Sequence, residues 1–349
     1  MDRYIGIDAH ATSCTIAVIG PSGRKLTEHV VETNATALVE CIQSIPRPRH
    51  LCLEEGTQSA WLYQVLSPHV DELVVAATTE KRKDQKNDRL DALARAQQLR
   101  LGTFEKIVFK APDRFALLRQ LACGYDMITR DVVRTQCRLK ALYLAHGLST
   151  ASKKVYSPAH REEWTGKLPA SCRPSAALLY SEMDAQRELK KTAEKQLVTE
   201  SHRYPISYLL ETCPGLGPIR VATLLPVVVT PDRFRTCRQF WSYSGLGIVM
   251  RSSSDWTRQG DRWVRAQVNQ TRGLTRSFNH TLKNIFKGAA TTVITLLSDH
   301  PLHQHYDRML AAGIKPNLAK LTLARQIAAI VLAMWKHKEE YDPARHRKP

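Results

Sequence analysis

The sequence has little acid to set against its base. It holds 33 Asp and Glu against 51 Lys and Arg, a formal charge of +18 at pH 7. A folded chain with that excess repels itself unless it meets a polyanion, and counterion release makes nucleic acid the expected one. There is no basic amphipathic anchor and no lipidation signal, which argues against a membrane surface as the polyanion. No run of about eighteen apolar residues is present, so no spanning helix is expected. The N-terminus opens directly on strand-like residues, without the charged stretch and apolar core of a secretory leader. The eight cysteines contain no Cys-x-x-Cys pair. Zinc ribbons and disulfide frameworks are therefore not expected, and a reducing cytoplasm fits. Internal repeats and low-complexity segments are also lacking.

What remains is a globular composition, 43% hydrophobic, on a chain of 349 residues, long enough for two cores. Residues 4–8 and 13–19 read as short buried strands, Pro21-Ser22-Gly23 as a turn, and 25–32 as a third strand. Asn34 caps a helix that runs to Ile45. A strand at 50–53, a helix at 59–66, a Val-rich strand at 72–77 and a helix at 88–101 follow. A three-stranded meander followed by alternating helices and strands is the order of a ribonuclease H-like fold. A dinucleotide-binding fold would place a glycine-rich turn after the first strand. Here that position holds Asp8-Ala9-His10-Ala11.

Residues 112–146 keep apolar residues at three- and four-residue spacing, with arginines between them. A second helical stretch covers about 175–200, and Pro158 to Pro174 separates the two. This middle reads as an all-helical arm, either a hairpin with a solvated charged face or a face for phosphate or for another subunit. The last third, from Pro205, reads as mostly helical. Its segment Pro214-Gly215-Leu216-Gly217-Pro218 has the look of a helix-hairpin-helix. Gly215 and Gly217 would let backbone amides at a helix start approach a phosphate, with Arg220 close by. A tight turn between core helices is the plainer alternative. Further on, Arg251 flanks three consecutive serines, Ser252 to Ser254.

The acidic residues carry the chemistry. Asp8 ends the first strand and Glu54 ends the strand at 50–53, which this fold order makes a neighbour. Asp88 and Asp91 lie three apart on one helix face. Four converging carboxylates need a counter-cation, and hard oxygen donors suit Mg2+, with Mn2+ as the alternative. Two such ions about 3.5–4 Å apart clamp the oxygens of a phosphodiester displacement. Aspartates at strand ends and helix starts also serve as caps, so the signal lies in the combination. His10 is an additional candidate ligand or acid, and Glu55 the alternative to Glu54.

Several blocks, taken in order, resemble a known family. They are Gly6-Ile7-Asp8-Ala9-His10, Leu53-Glu54, Lys86 to Ala92, Pro214 to Gly217, Ser244-Gly245-Leu246, Ala324 to Ile327 and Tyr341-Asp342-Pro343. The sequence is similar to the DEDD-type insertion-sequence transposases related to the Piv/MooV invertases, also described as bridge-RNA-guided recombinases. The resemblance implies a RuvC-like DEDD domain over 1–111, a coiled-coil-like helical arm over 112–204 and a transposase domain over 205–349. It implies a serine nucleophile after Gly245-Leu246, by spacing Ser253, with Ser252 and Ser254 open. It implies a metal site of Asp8, Glu54, Asp88 and Asp91 assisting that serine, with Arg251 among the cations around the loop. DNA as donor and target, a guide RNA, a homotetramer and action at a bacterial nucleoid follow from the same resemblance. A RuvC-like nuclease using water and a non-catalytic basic nucleic-acid-binding protein are the competing readings.

Overall fold

Residue alternation explains the first sheet. In the strand Arg3–Ala9 (β1), Ile5 and Ile7 are buried on one face while Gly6 is buried on the other. A computed structural model of the chain describes residues 1–77, 87–104, 114–250, 256–265 and 271–344. Within it the chain divides into two units, Met1–Arg114 and Phe115–Pro349.

In the first unit, β1 is followed by β2 (Ser13–Ile19), β3 (Lys25–Glu32), helix α1 (Ala35–Ser44), β4 (Arg49–Glu54), α2 (Ser59–Leu66), β5 (Glu72–Ala76) and α3 (Asp88–Leu101). The five strands form one sheet in the order β3-β2-β1-β4-β5. The meander is antiparallel, and β1, β4 and β5 are parallel. Asn34 caps α1 by accepting from the Ala37 amide at 2.8 Å, as the sequence suggests. One face of the sheet buries Ile5, Ile7, Leu51 and Leu53 with Leu38 and Ile42 of α1 and Leu62 and Leu66 of α2. The other buries Cys52 and Ala76 with Leu99 of α3. Alternate residues of β4 thus feed opposite layers, and among the described elements α3 is the helix that lies across the second face.

The second unit begins with two 29-residue helices, α4 (Ala116–Leu144) and α6 (Arg173–Ser201). Between them, where the proline-bounded break was expected, a short helix α5 (Arg161–Gly166) folds in. Phe115, Leu118 and Leu197 join the large core of this unit, whereas Leu139, Tyr143, Ala176 and Tyr180 join a separate core with Trp164 of α5. The pair is therefore antiparallel, with its base in one core and its tip in another. At the tip, Tyr180 donates to the Val155 carbonyl at 3.0 Å and meets the Tyr143 hydroxyl at 3.1 Å. Arg161 forks onto both carboxylate oxygens of Asp184 at 2.7 and 2.9 Å.

Helices α7 (Pro205–Glu211), α8 (Pro218–Val228) and α9 (Cys237–Tyr243) follow. Then come four short strands, β6 (Ile248–Met250), β7 (Trp256–Gln259), β8 (Arg262–Arg265) and β9 (Thr271–Leu274). Helices α10 (His280–Leu296), α11 (Pro301–Ala311) and α12 (Pro316–His337) complete the unit. Strand β6 pairs antiparallel with β9, and β7 with β8. The mostly helical reading of this third gave no hint of these strands. Among the described residues, α12 is the one helix long and apolar enough to cross a membrane. It is a packed core helix: Leu323, Ala324, Ile327, Ala328 and Val331 are buried among Leu225, Phe240 and Phe286. All eight cysteines are free thiols, and burial pushes those of Cys52 and Cys213 up to about 12.

Candidate functional site

The first unit gathers its chemistry at the C-terminal end of β1. The parallel register of β1 with β4 ends at Ile7–Leu53, so Asp8 and Glu54 follow side by side. The chain then turns into β2, and this turn carries His10. Its backbone is tied down by the His10 amide donating to the Ser13 carbonyl at 3.0 Å and Thr33 Oγ1 donating to the His10 carbonyl at 2.8 Å.

Helix α3 delivers the third group. Asn87 caps it by accepting from the Arg89 amide, and Asp88 and Asp91 occupy its first turn, where the helix dipole favours carboxylates. The helix meets β1 at Gly6. A Cβ built there would lie 2.0 Å from the Ala92 carbonyl oxygen and 2.6 Å from the Ala96 amide nitrogen. Only glycine permits this approach, and it brings the first turn of α3 over the end of β1.

The result is a cluster. His10 Nε2 lies 3.2 Å from Asp8 Oδ2 and 3.2 Å from Asp88 Oδ1. Ligand atoms of these three residues fall within 4.8 Å of one another, the geometry of a small cation site. Glu54 and Asp91 are not in that group. Asp91 is exposed on α3, one turn beyond Asp88. Glu54 accepts a 2.7 Å hydrogen bond from Arg95, a buried arginine of α3. His10, an additional candidate from the sequence, is thus at the centre of the cluster, whereas Arg95 is a partner that the sequence motifs do not point to. The available signal for Arg95 was its place, seven residues after Asp88, on the face that packs against the sheet.

Two carboxylates and an imidazole form a donor set that fits Mg2+ or Mn2+; the carboxylates match a hard cation, and the imidazole is the softer, Mn2+-compatible member. Asp8 is largely buried and Asp88 half exposed, so a bound ion would keep one open side.

In the second unit, α7, a turn and α8 form the anticipated helical hairpin. Gly215 has φ +81°, and a Cβ there would lie 2.5 Å from the Ala289 carbonyl oxygen. Its glycine is required by packing against α10. Gly217 caps α8 and faces open space. Arg220 is turned inward: it donates to the Gly215 carbonyl at 2.6 Å and to Thr292 Oγ1 at 3.0 Å, and burial lowers its pKa. Arg251 and Ser252 to Ser254, with the nucleophile candidate Ser253 among them, lie outside the described residues, between β6 and β7.

The segment leading into them is firmly held. Gly245 has φ +67° and sits against the Phe278 ring. Arg325 of α12 donates to the Leu246 carbonyl at 2.7 Å, and Trp241 Nε1 donates back to the Arg325 carbonyl at 2.9 Å. Tyr341 reaches the α7–α8 turn, its amide donating to Thr212 Oγ1 at 3.0 Å. Four sequence blocks from 212 to 342 therefore meet in one packed region.

A mixed α/β unit that gathers two carboxylates and an imidazole at one strand end, followed by a mostly helical unit in a chain of formal charge +18, fits the general class of nucleic-acid-processing proteins. Comparison with known proteins narrows this. Residues 5–145 match a transposase family model of the DEDD IS110 type, and residues 207–282 match the family described as Transposase IS116/IS110/IS902. An insertion element IS110 uncharacterized 43.6 kDa protein from Streptomyces coelicolor is 27% identical over 164 residues. That similarity covers 47% of this chain and 37% of the relative. The chain belongs to the IS110 family of DEDD transposases.

Proposed function

We propose that this protein is the DNA transposase of an insertion sequence, cutting and rejoining strands through a serine nucleophile. The observation that carries the reading is the convergence of Asp8, His10 and Asp88 at the end of β1, in a chain matched by transposase families in both of its units. The strand order β3-β2-β1-β4-β5 supports a RuvC-like, ribonuclease H-like first unit. Asp8 and Asp88, with His10, would hold Mg2+ or Mn2+; Asp91 and Glu54 are the further acidic members, Asp91 exposed to incoming ligand and Glu54 held ready by Arg95. When bound, such an ion stabilises negative charge building on phosphate oxygens.

Ser253, or its neighbours Ser252 and Ser254, supplies the nucleophile. Its Oγ forms a bond to phosphorus as one bond from phosphorus to a deoxyribose oxygen breaks. The serine proton is lost and the leaving oxygen gains one, so a covalent protein–DNA link preserves the energy of the broken bond. Attack by another strand's hydroxyl reverses the link and joins new ends. Cations near the loop, Arg251 among them, balance the charge of the five-coordinate phosphorus. A guide RNA supplies target choice by base pairing, while the protein reads shape and backbone. A homotetramer holds the several DNA ends.

The test is an adduct trap with cognate DNA, co-purifying RNA and Mg2+. The wild type is expected to form a covalent DNA adduct that Ser253→Ala loses and that Ser252→Ala and Ser254→Ala keep. Cleavage with no adduct from the wild type would replace this reading with a water-using nuclease. Strand exchange untouched by Asp8→Ala and Asp88→Ala would make the cluster structural.

A further inference from the structure

The antiparallel pair β7–β8 is an exposed two-stranded ribbon with unusual side chains. Tryptophan is rarely left in water, because its burial contributes more than that of any other side chain. Yet Trp256 is 59% exposed and Trp263 67%. The register places Arg258 directly opposite Trp263, so these two share a face. Trp256 stands two residues before Arg258 on the same strand and joins that face. One side of the ribbon thus presents two indoles with a guanidinium between them. Arg258 is steadied at the tip, donating to the Gly260 carbonyl at 3.1 Å, with Asp261 at 3.6 Å. Over residues 256–265 there are three arginines against one aspartate.

A two-stranded ribbon is marginal alone, and exposed indoles add nothing to its stability. The combination of flat aromatic faces and cations is the one that takes unpaired bases. An indole stacks on a base face, which in a duplex is already covered by neighbouring pairs, and guanidinium groups meet the strand's phosphates. A ribbon built to read a duplex groove would instead present polar tips to base edges.

We propose that the β7–β8 ribbon binds the unpaired bases of a DNA strand, stacking them on Trp256 and Trp263. DNA is the chosen strand because the ribbon follows the serine segment 251–255 without a gap, so it handles the strand on which the proposed nucleophile acts. In this respect the inference rests on the proposed function. Its role is to hold bases beside a cut open for exchange. The positive charge complements the strand's phosphates, and stacking on indole is tolerant of sequence, as a protein whose targets vary requires.

The test uses the full-length protein without Mg2+ and a labelled DNA strand of about 20 nucleotides, single or annealed to its complement, with binding read by anisotropy. Trp256→Ala and Trp263→Ala are each expected to weaken single-strand binding about tenfold and duplex binding less than about twofold. Trp263→Phe should retain most of the affinity, since an aromatic face remains. Unchanged melting of each variant checks that only the exposed face was altered. Single-strand affinity equal to the wild type in both Ala variants overturns the proposal. So does equal loss for strand and duplex, or a tryptophan-dependent preference for RNA of the same sequence. A change in sedimentation with unchanged strand affinity would reassign the ribbon to contact between copies. Binding is read without cleavage, so a missing covalent adduct overturns the serine reaction and leaves this result readable. A wild type that exchanges strands while Trp263→Ala binds normally overturns the ribbon alone.

Discussion

Gly6 and Ala92 lie backbone against backbone: a methyl group at Gly6 would stand 2.0 Å from the Ala92 carbonyl oxygen. The place of Asp88 in the candidate cation site depends on that approach. It sets how far Asp88 on α3 stands from Asp8 on β1. Gly6→Ala is expected to force the helix away, costing about 1–3 kcal/mol by overpacking, which urea unfolding of the variant measures. Mn2+ affinity should fall with it, although no ligand has been changed.

The cation site itself is tested by titrating Mn2+ by calorimetry. Asp8→Asn and Asp88→Asn should each lower affinity at least about tenfold, because each removes a charged oxygen donor. His10→Ala should have a smaller effect. Equal affinity in all three variants would mean that the cluster holds no ion.

Glu54 and Arg95 form a pair of unequal burial, 32% and 8% side-chain exposure. A double-mutant cycle with Glu54→Gln and Arg95→Met is expected to give a coupling energy of about 1–2 kcal/mol, reduced from fully buried values by the solvent at Glu54. A coupling near zero would leave Arg95 as a packing residue only.

At the arm tip, the hydrogen-bonded Arg161 guanidinium holds the Asp184 carboxyl below the usual carboxylate range. A depressed carboxylate stabilises the fold above its unfolded pKa, and that contribution disappears as the pH falls through the folded value. Stability should therefore decline below the ordinary aspartate value of 3.8. Melting temperatures followed from about pH 5 to pH 3 should drop more steeply for the wild type than for Asp184→Asn.

The formal charge of +18 predicts a steep fall of DNA affinity with salt. A plot of log affinity against log salt with no slope would refute the electrostatic argument.

Much of the first unit was legible in its sequence because its signals are local. Alternating Ile5 and Ile7, the Asn34 cap and the start of α3 at Asp88 are each set by a few neighbouring residues. The site was legible only in part. Asp8 and Asp88 follow from their elements, but His10 joins them through a turn whose geometry depends on Thr33 and Ser13. Arg95 reaches Glu54 across 41 residues of sequence, which no periodicity reveals. The strands β6 to β9 carry no signal in the sequence because each is three or four residues long, without room for an alternating pattern. Arg220 looked like a phosphate ligand by spacing alone; its burial against α10 is a tertiary fact.

The placement of α12 has a consequence for synthesis. The large core of the second unit joins Phe115 and Leu118 at its start to Leu323, Ile327 and Val331 near its end. It cannot close on the ribosome until α12 has emerged. The first unit has a core of its own and is free to fold while the rest is still being made. The candidate cation cluster is thereby built well before the turn after α9 is clamped by Arg325, so a nascent chain carries the first without the second until α12 has been made.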